Sequence, residues 1–152
     1  MKAAIIYYSK SGVTEKIARK IQAKTDADFY FVEPDKKYGG YLSAVASVAV
    51  EKMKKKPAKT RTQVADFARY DVVFIGFPVW YYTAPQFVQD YIKACDLSGK
   101  RVIPFVTAGA NGRESSYKTL QNLLPDSEIT DYFYTSNINK VDVDAWLAGI
   151  KL

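Results

Sequence analysis

Short apolar runs alternate along this chain with longer stretches in which apolar and polar residues mix. The apolar runs end at turn residues, which is typical of buried strands, and the mixed stretches carry apolar residues at helical spacing. In residues 12–24, for example, Ile17, Ala18 and Ile21 share one face. The predicted strands are residues 2–8, 28–33, 71–79, 101–106 and 128–134, and the predicted helices are residues 12–24, 41–55, 85–94, 117–124 and 142–150.

Strands that alternate with helices predict a doubly wound α/β domain, here a single domain over residues 1–152. Its sheet is expected to be parallel, with five strands, with helices on both faces and with right-handed crossovers. The expected strand order is 2-1-3-4-5, which places a ligand crevice at the carboxyl ends of the first and third strands. Functional residues are therefore expected in the loops that follow strands one, three and four.

Composition restricts the chemistry that these loops can perform. The 152 residues include no histidine and one cysteine, Cys95. The lack of histidine excludes Ser-His-Asp catalysis, Cys-His pairs and histidine-ligated zinc, so chemistry is expected to come from a bound cofactor. Cys95 lies in or at the end of a predicted helix, which favours a buried structural thiol, and a single cysteine fits a reducing cytoplasm. The first apolar stretch is too short for a signal peptide and no stretch approaches the roughly 18 apolar residues of a membrane span, so we expect a soluble cytoplasmic protein.

The net charge of +6 arises from one segment, residues 52–61, which begins with Lys52 and ends with Arg61. It holds six basic residues and no acid, and the other 16 basic residues balance the 16 acidic ones. One interpretation is a solvated helix end that continues into a loop; the other is a docking patch for a redox partner protein with an acidic surface. Nucleic acid is not an expected partner, because no aromatic residues interleave with these lysines.

The loop after the first strand, residues 9–14, has the composition of an anion site. Ser9, Ser11 and Thr14 supply hydroxyl donors, Gly12 lets the backbone approach a ligand, and the following helix offers its amino end. Lys10 adds a positive charge unless it points to solvent. A helix capped by Ser11 or Gly12 would show the same residues, so both interpretations remain open here. The turn is neither a Walker sequence nor a G-x-G-x-x-G dinucleotide turn.

The loop after the third strand carries three consecutive aromatic residues, Trp80, Tyr81 and Tyr82. Neighbouring side chains diverge, so at least one ring should stay near the surface, where a flat ligand could cover it. The alternative is that one ring packs inward while the others cover the rim. The loop after the fourth strand, residues 107–113, is rich in small residues that allow backbone contact with a heterocycle. An ordinary flexible connection would have the same composition.

Together the three loops resemble those of the flavodoxin family, in its short flavodoxin-like branch. The matching segments are YYSKSGVT at 7–14, GFPVW at 76–80 followed by Thr83-Ala84-Pro85, and TAGANG at 107–112, and DLSGKRVIPF at 96–105 also resembles that branch. The resemblance implies a flavodoxin-like fold and non-covalent binding of flavin mononucleotide (FMN), with the first loop on the phosphate and the other two around the isoalloxazine ring. Trp80 is then the leading candidate for stacking on the ring. The implied cofactor-binding residues are Ser9, Lys10, Ser11, Gly12, Val13, Thr14, Pro78, Val79, Trp80, Tyr81, Thr107, Ala108, Gly109 and Asn111.

The chain departs from that pattern at several positions. Tyr82 stands where glycine is frequent, Val13 replaces a commonly polar residue, and Ala110 and Arg113 stand in a loop that is usually richer in glycine. Electron-transfer flavodoxins are typically acidic whereas this chain is basic, so their partners cannot be assumed.

Three functions remain at this point, and electron transfer through FMN is favoured. The alternative is an FMN-dependent NAD(P)H:quinone-type oxidoreductase, in which Arg113 would meet a nicotinamide phosphate. A third possibility is a flavodoxin-fold binding or regulatory domain without a cofactor. A phospho-receiver domain is excluded, because Tyr8-Ser9 and Val79-Trp80 stand where that class needs acidic residues.

Overall fold

The computed structural model describes residues 1–35 and 60–152. The helix predicted at 41–55 and most of the basic segment 52–61 lie outside the described residues. The strands are β1 (Ala3–Tyr7), β2 (Asp28–Phe31), β3 (Val72–Pro78), β4 (Arg101–Thr107), β5 (Glu128–Ile129) and β6 (Phe133–Thr135). The helices are α1 (Val13–Thr25), α2 (Gln86–Ala94), α3 (Arg113–Leu123) and α4 (Val143–Gly149), with a 3-10 turn at Ile138–Lys140.

The sheet confirms the predicted topology. Its strands are parallel and follow the order β2-β1-β3-β4-β5, with β6 also paired to β4. The register aligns Tyr7 of β1 with Gly76 of β3, and Gly76 with Phe105 of β4. The carboxyl ends of the three central strands therefore lie at one edge, where the loops that follow them meet.

Alternate residues of the central strands build two separate hydrophobic cores, one on each face of the sheet. Ile6, Ile75 and Val106 pack on the face covered by α2 and α3. Ile5 and Phe74 pack on the other face, which α1 and α4 cover. Helices on both faces, as predicted, explain why β3 is apolar throughout its length.

The fifth strand is interrupted, which corrects the prediction of one strand over 128–134. β5 pairs with the first residues of β4 and β6 with the last, and Asp131 lies between them with φ of 51°. Arg101 Nη2 binds Asp131 Oδ2 at 2.6 Å, and Trp146 Nε1 donates to the Asp131 carbonyl at 3.0 Å. Thr130 N still donates to Val102 O of β4 at 3.0 Å, so the pairing with β4 is interrupted at residues 131 and 132.

Helix α3 begins at Arg113, four residues before the start predicted from the sequence. Gly112 is its N-cap residue with φ of 129°, and Ser116 N donates to Gly112 O at 3.0 Å. The first turn contains two serines, which are typical of loops, so its helical character is not visible in the composition. Pro85 likewise lies just before α2 as its N-cap residue, not as its first helical residue as predicted.

Candidate functional site

The three loops predicted to carry function meet at the carboxyl edge of the sheet. Val79 N donates to Thr107 O at 2.7 Å, which joins the loop after β3 to the end of β4. A cleft of about 220 Å³ opens between these loops. Its walls come from residues of all three: Lys10, Ser11, Val13, Pro78, Val79, Trp80, Thr107, Ala108 and Gly109. All nine belong to the fourteen predicted cofactor-binding residues, and the other five, Ser9, Gly12, Thr14, Tyr81 and Asn111, lie on the same loops outside this lining.

The turn after β1 combines helix capping with free donors for an anion. Gly12 is the N-cap residue of α1 with φ of 89°, a left-handed conformation that explains why glycine stands there. Ser9 Oγ accepts hydrogen bonds from Gly12 N at 3.1 Å and from Glu15 N at 3.2 Å. Among the described residues, the N–H groups of Val13 and Thr14 in the first turn of α1 bind no acceptor. The two interpretations of this turn are thus compatible, because Ser9 caps the helix and other amides remain for a ligand.

A buried pair of hydroxyls ties this turn to β4. Thr14 Oγ1 lies 2.8 Å from Thr107 Oγ1, and both side chains are buried. The Thr14 hydroxyl is therefore already paired within the protein. This contact joins residues 93 positions apart and was not predicted.

The aromatic loop corrects the stacking role expected of Trp80. Its indole is fully buried and meets the rings of Tyr8 and Phe87 edge to face, with centroids 5.3 Å and 6.3 Å away. Trp80 borders the cleft, but its side chain packs under α2 and offers no exposed face. Tyr81 and Tyr82 are instead the exposed rings of this loop, at 45% and 63% exposure.

Tyr81 and Tyr82 form a strained two-residue turn. Their φ angles are 53° and 73°, and Trp80 N donates to Thr83 O at 2.8 Å across the turn. Two consecutive residues with positive φ are the signature of a mirror-image β-turn, which normally contains glycine or asparagine. Tyr82 therefore stands in place of glycine at a position where the backbone conformation itself favours glycine.

Helix α3 supports this turn from the side. Ser115 Oγ donates to the Tyr82 carbonyl, and Thr83 Oγ1 donates to Thr119 Oγ1 at 2.7 Å. A Cβ on Gly112 would lie 2.6 Å from Val79 Cγ1, so a larger residue there would push the two loops apart. Ser115 and Thr119 were not among the predicted site residues, because Ser115 lies before the helix predicted at 117–124 and Thr119 lies within that helix, away from the three predicted loops.

The loop after β4 is fixed from its outer side by β6. Ala108 N donates to Thr135 O at 2.9 Å, and the Tyr134 hydroxyl donates to Ala110 O at 2.8 Å. Gly109 and Asn111 are exposed. Tyr134 was not predicted, because it lies in the fifth predicted strand, which was not expected to contribute to the site.

Charge at the cleft is positive. Lys10 is the one charged residue among the cleft residues named above. Within residues 1–35 and 60–152 no cluster of acidic or cysteine residues could hold a metal ion.

Cys95 lies away from the cleft, and burial raises the pKa of its thiol to about 12. No described helix is both long and apolar enough to cross a membrane.

Comparison with known proteins agrees with the fold. A protein from Bacteroides eggerthii, provisionally assigned as a flavoprotein, is 28% identical with a TM-score of 0.79, covering 97% of this chain and 94% of its own. A flavoprotein from Lactobacillus acidophilus solved in complex with FMN is 20% identical with a TM-score of 0.71, covering 96% of this chain and 98% of its own. Oxidised flavodoxin 2 from Bacillus cereus is 18% identical with a TM-score of 0.60, covering 96% of this chain and 92% of its own.

None of the curated proteins compared with the sequence gives a significant match. The family model described as flavodoxin matches residues 2–150, nearly the whole chain. The fold, the order of the three loops and this match agree, and the chain belongs to the flavodoxin family.

Proposed function

We propose that this chain is an electron-transfer protein that binds FMN non-covalently in the cleft at the carboxyl edge of the sheet. The observation that carries this proposal is that all nine residues lining the cleft come from the three loops whose sequences resemble FMN-binding loops. The FMN complex of the Lactobacillus acidophilus flavoprotein, which shares the fold, supports the choice of cofactor.

The residues of the cleft suit the two chemical ends of FMN. The first turn of α1 offers N–H groups to a phosphate, and Lys10 adds positive charge beside them. Pro78, Val79 and Ala108 offer an apolar wall to a flat ring system. The cleft measures about 220 Å³, so a mononucleotide would extend beyond it towards the exposed ring of Tyr81.

FMN, when bound, supplies reversible one- and two-electron redox chemistry that no side chain of this protein provides. The protein's contribution is to hold the cofactor, to limit water and to set the charge around it. Lys10 contributes a positive charge beside the cleft, which favours a reduced, anionic flavin. We therefore expect a less negative midpoint potential than that of a flavin site surrounded by acids.

The second candidate function is an FMN-dependent NAD(P)H:quinone-type oxidoreductase. The observation in its favour is Arg113, an exposed guanidinium directly after the loop of residues 107–112. It could meet the phosphate of a nicotinamide cofactor, although the sequence contains no recognisable nicotinamide-binding motif.

The partner of the proposed carrier is a redox protein with an acidic surface. The basis is the basic segment 52–61, which carries the whole net charge of +6. Opposite charges steer such encounters mainly by raising the association rate, and salt weakens the effect.

The two functions differ in whether the FMN-loaded protein turns over by itself. Purified holoprotein is mixed with NADPH or NADH and a soluble quinone, and the loss of nicotinamide absorbance is followed. A carrier shows no steady oxidation above the rate of free FMN, yet its dithionite-reduced form passes electrons rapidly to a small acidic redox protein. Steady turnover that Arg113→Gln reduces and Lys118→Gln leaves unchanged would overturn the proposal in favour of the reductase.

A further inference from the structure

A second, larger cavity lies outside the cleft, between the first turns of α3 and the break in the fifth strand. Its volume is about 520 Å³, and Arg113, Tyr117, Ile129 and Tyr132 are among the residues that line it. We call it the α3 groove. It lies on the outer side of the loop of residues 107–112, since Tyr132 and Tyr134 donate hydrogen bonds to the carbonyls of Arg113 and Ala110.

The α3 groove exists because the fifth strand is interrupted. Arg101 and Trp146 bind Asp131 at the break, and the hydroxyl of the next residue, Tyr132, donates to Arg113 O of α3 at 2.8 Å. The rings of Tyr117 and Tyr132 pack on each other, with centroids 5.3 Å apart and planes at 37°, and both line the groove. The groove is therefore a fixed part of the fold, held by hydrogen bonds at both of its sides.

The groove has an aromatic lining and an unbalanced positive charge. Of its two carboxylates, Asp131 is paired with Arg101 at 2.6 Å and Glu114 lies 3.5 Å from Lys118. The guanidinium carbon of Arg113 lies 6.0 Å from the Tyr132 ring centre and 5.8 Å from that of Tyr134. No carboxylate of the described residues lies within ion-pair distance of Arg113. The N–H groups of its planar guanidinium are thus available to bind an anion.

We propose that the α3 groove is a second ligand site, and that it binds a flat aromatic molecule carrying a carboxylate or sulfonate. The ring system would lie against Tyr117 and Tyr132, where apolar and aromatic contacts accumulate. The anionic group would meet Arg113 in a two-pronged, charge-assisted hydrogen bond. A neutral aromatic ring would gain only the first contact, and an aliphatic acid only the second.

The test uses 2-naphthoate and its neutral analogue 2-naphthamide as probes. FMN-saturated, ¹⁵N-labelled protein is titrated with each probe, and amide shifts are followed by NMR, so that the flavin cleft is blocked and the position of binding is visible. We expect saturable shifts at residues 113–117 and 129–132 with 2-naphthoate, and binding of 2-naphthamide at least about tenfold weaker, since one charge-assisted bond is lost. If the protein does not take up FMN, the same map still distinguishes the groove from the cleft.

Three variants distinguish the contribution of the Arg113 charge to probe binding from that of the Tyr117 ring. Arg113→Gln should lower the affinity for 2-naphthoate about tenfold and leave the affinity for 2-naphthamide unchanged. Tyr117→Ala should lower the affinity for both probes. Lys24→Gln is the matched control, because it removes an exposed cation of α1, which does not line the groove, and it should change the binding of neither probe. Equal affinity for the two probes, an equal loss in the Lys24 control, or no saturable shifts at the groove would each overturn the proposal.

Discussion

The hydroxyl pair of Thr14 and Thr107 should contribute to stability only as a pair. The two oxygens are 2.8 Å apart and both side chains are buried, with 1% and 6% of their surface exposed. Thr107→Val would leave the Thr14 hydroxyl buried without a partner, at a cost of about 1–3 kcal/mol, and Thr14→Val should cost a similar amount. The double variant replaces both hydroxyls with methyl groups of similar shape, so it should lose much less than the sum of the single variants. We expect a coupling free energy of about 1–2 kcal/mol.

Urea unfolding of the apoprotein, followed by circular dichroism, measures all four corners of this cycle. The slopes against urea should agree between variants, so that midpoint differences report stability alone. Thr25→Val is a control for a threonine whose hydroxyl binds a carbonyl of its own helix, Ile21 O at 2.7 Å, and it should show no coupling to Thr107. Single variants that cost less than about 0.5 kcal/mol with no coupling would refute the reasoning, because they would mean that water satisfies both hydroxyls in the folded protein.

Four further predictions concern single positions. Tyr82→Gly should be at least about 1 kcal/mol more stable than Tyr82→Val in thermal unfolding, because φ of 73° strains a β-branched residue most; equal stabilities would contradict this. Gly76→Ala places a Cβ 2.1 Å from Phe105 and should cost about 3 kcal/mol or more in urea unfolding, and a loss below about 1 kcal/mol would show that the ring moves aside easily. Because burial raises the pKa of the Cys95 thiol to about 12, it should resist thiol reagents at neutral pH until the protein unfolds, and stability should fall as pH rises from the thiol's ordinary pKa of 9 towards 12; rapid labelling of the folded protein would contradict both expectations. Lys10→Glu should make the midpoint potential of the bound flavin more negative by roughly 20 mV in a potentiometric titration, whereas an unchanged potential would place that charge too far away to act.

The sequence predicted the sheet well because its signal is local and strong. β3 is an uninterrupted apolar run, and a strand of that kind must be covered on both faces, which already implies helices on both sides. The three loops were predictable for the same reason, since a parallel sheet places every βα loop at one edge. No knowledge of long-range contacts was needed for either inference.

The errors occurred where a distant contact overrides the local pattern. Trp80 is one of three consecutive aromatic residues, a pattern that predicts an exposed ring. In the folded chain, however, its indole packs between Tyr8 and Phe87. The break at Asp131 depends on Arg101, 30 residues earlier in the chain. Tyr8 and Arg101 both lie outside a window of ten or twenty residues around Trp80 and Asp131, so the local periodicity could not reveal these contacts.

FMN binding in the cleft is tested by a titration of the colourless apoprotein with FMN and, in parallel, with riboflavin, followed by flavin fluorescence. We expect stoichiometric uptake of one FMN per chain, with riboflavin bound at least about tenfold more weakly because it lacks the phosphate that meets the turn of residues 9–14. An apoprotein that leaves the fluorescence of both flavins unchanged would contradict the proposed site, and equal affinity for the two would contradict the role of that turn.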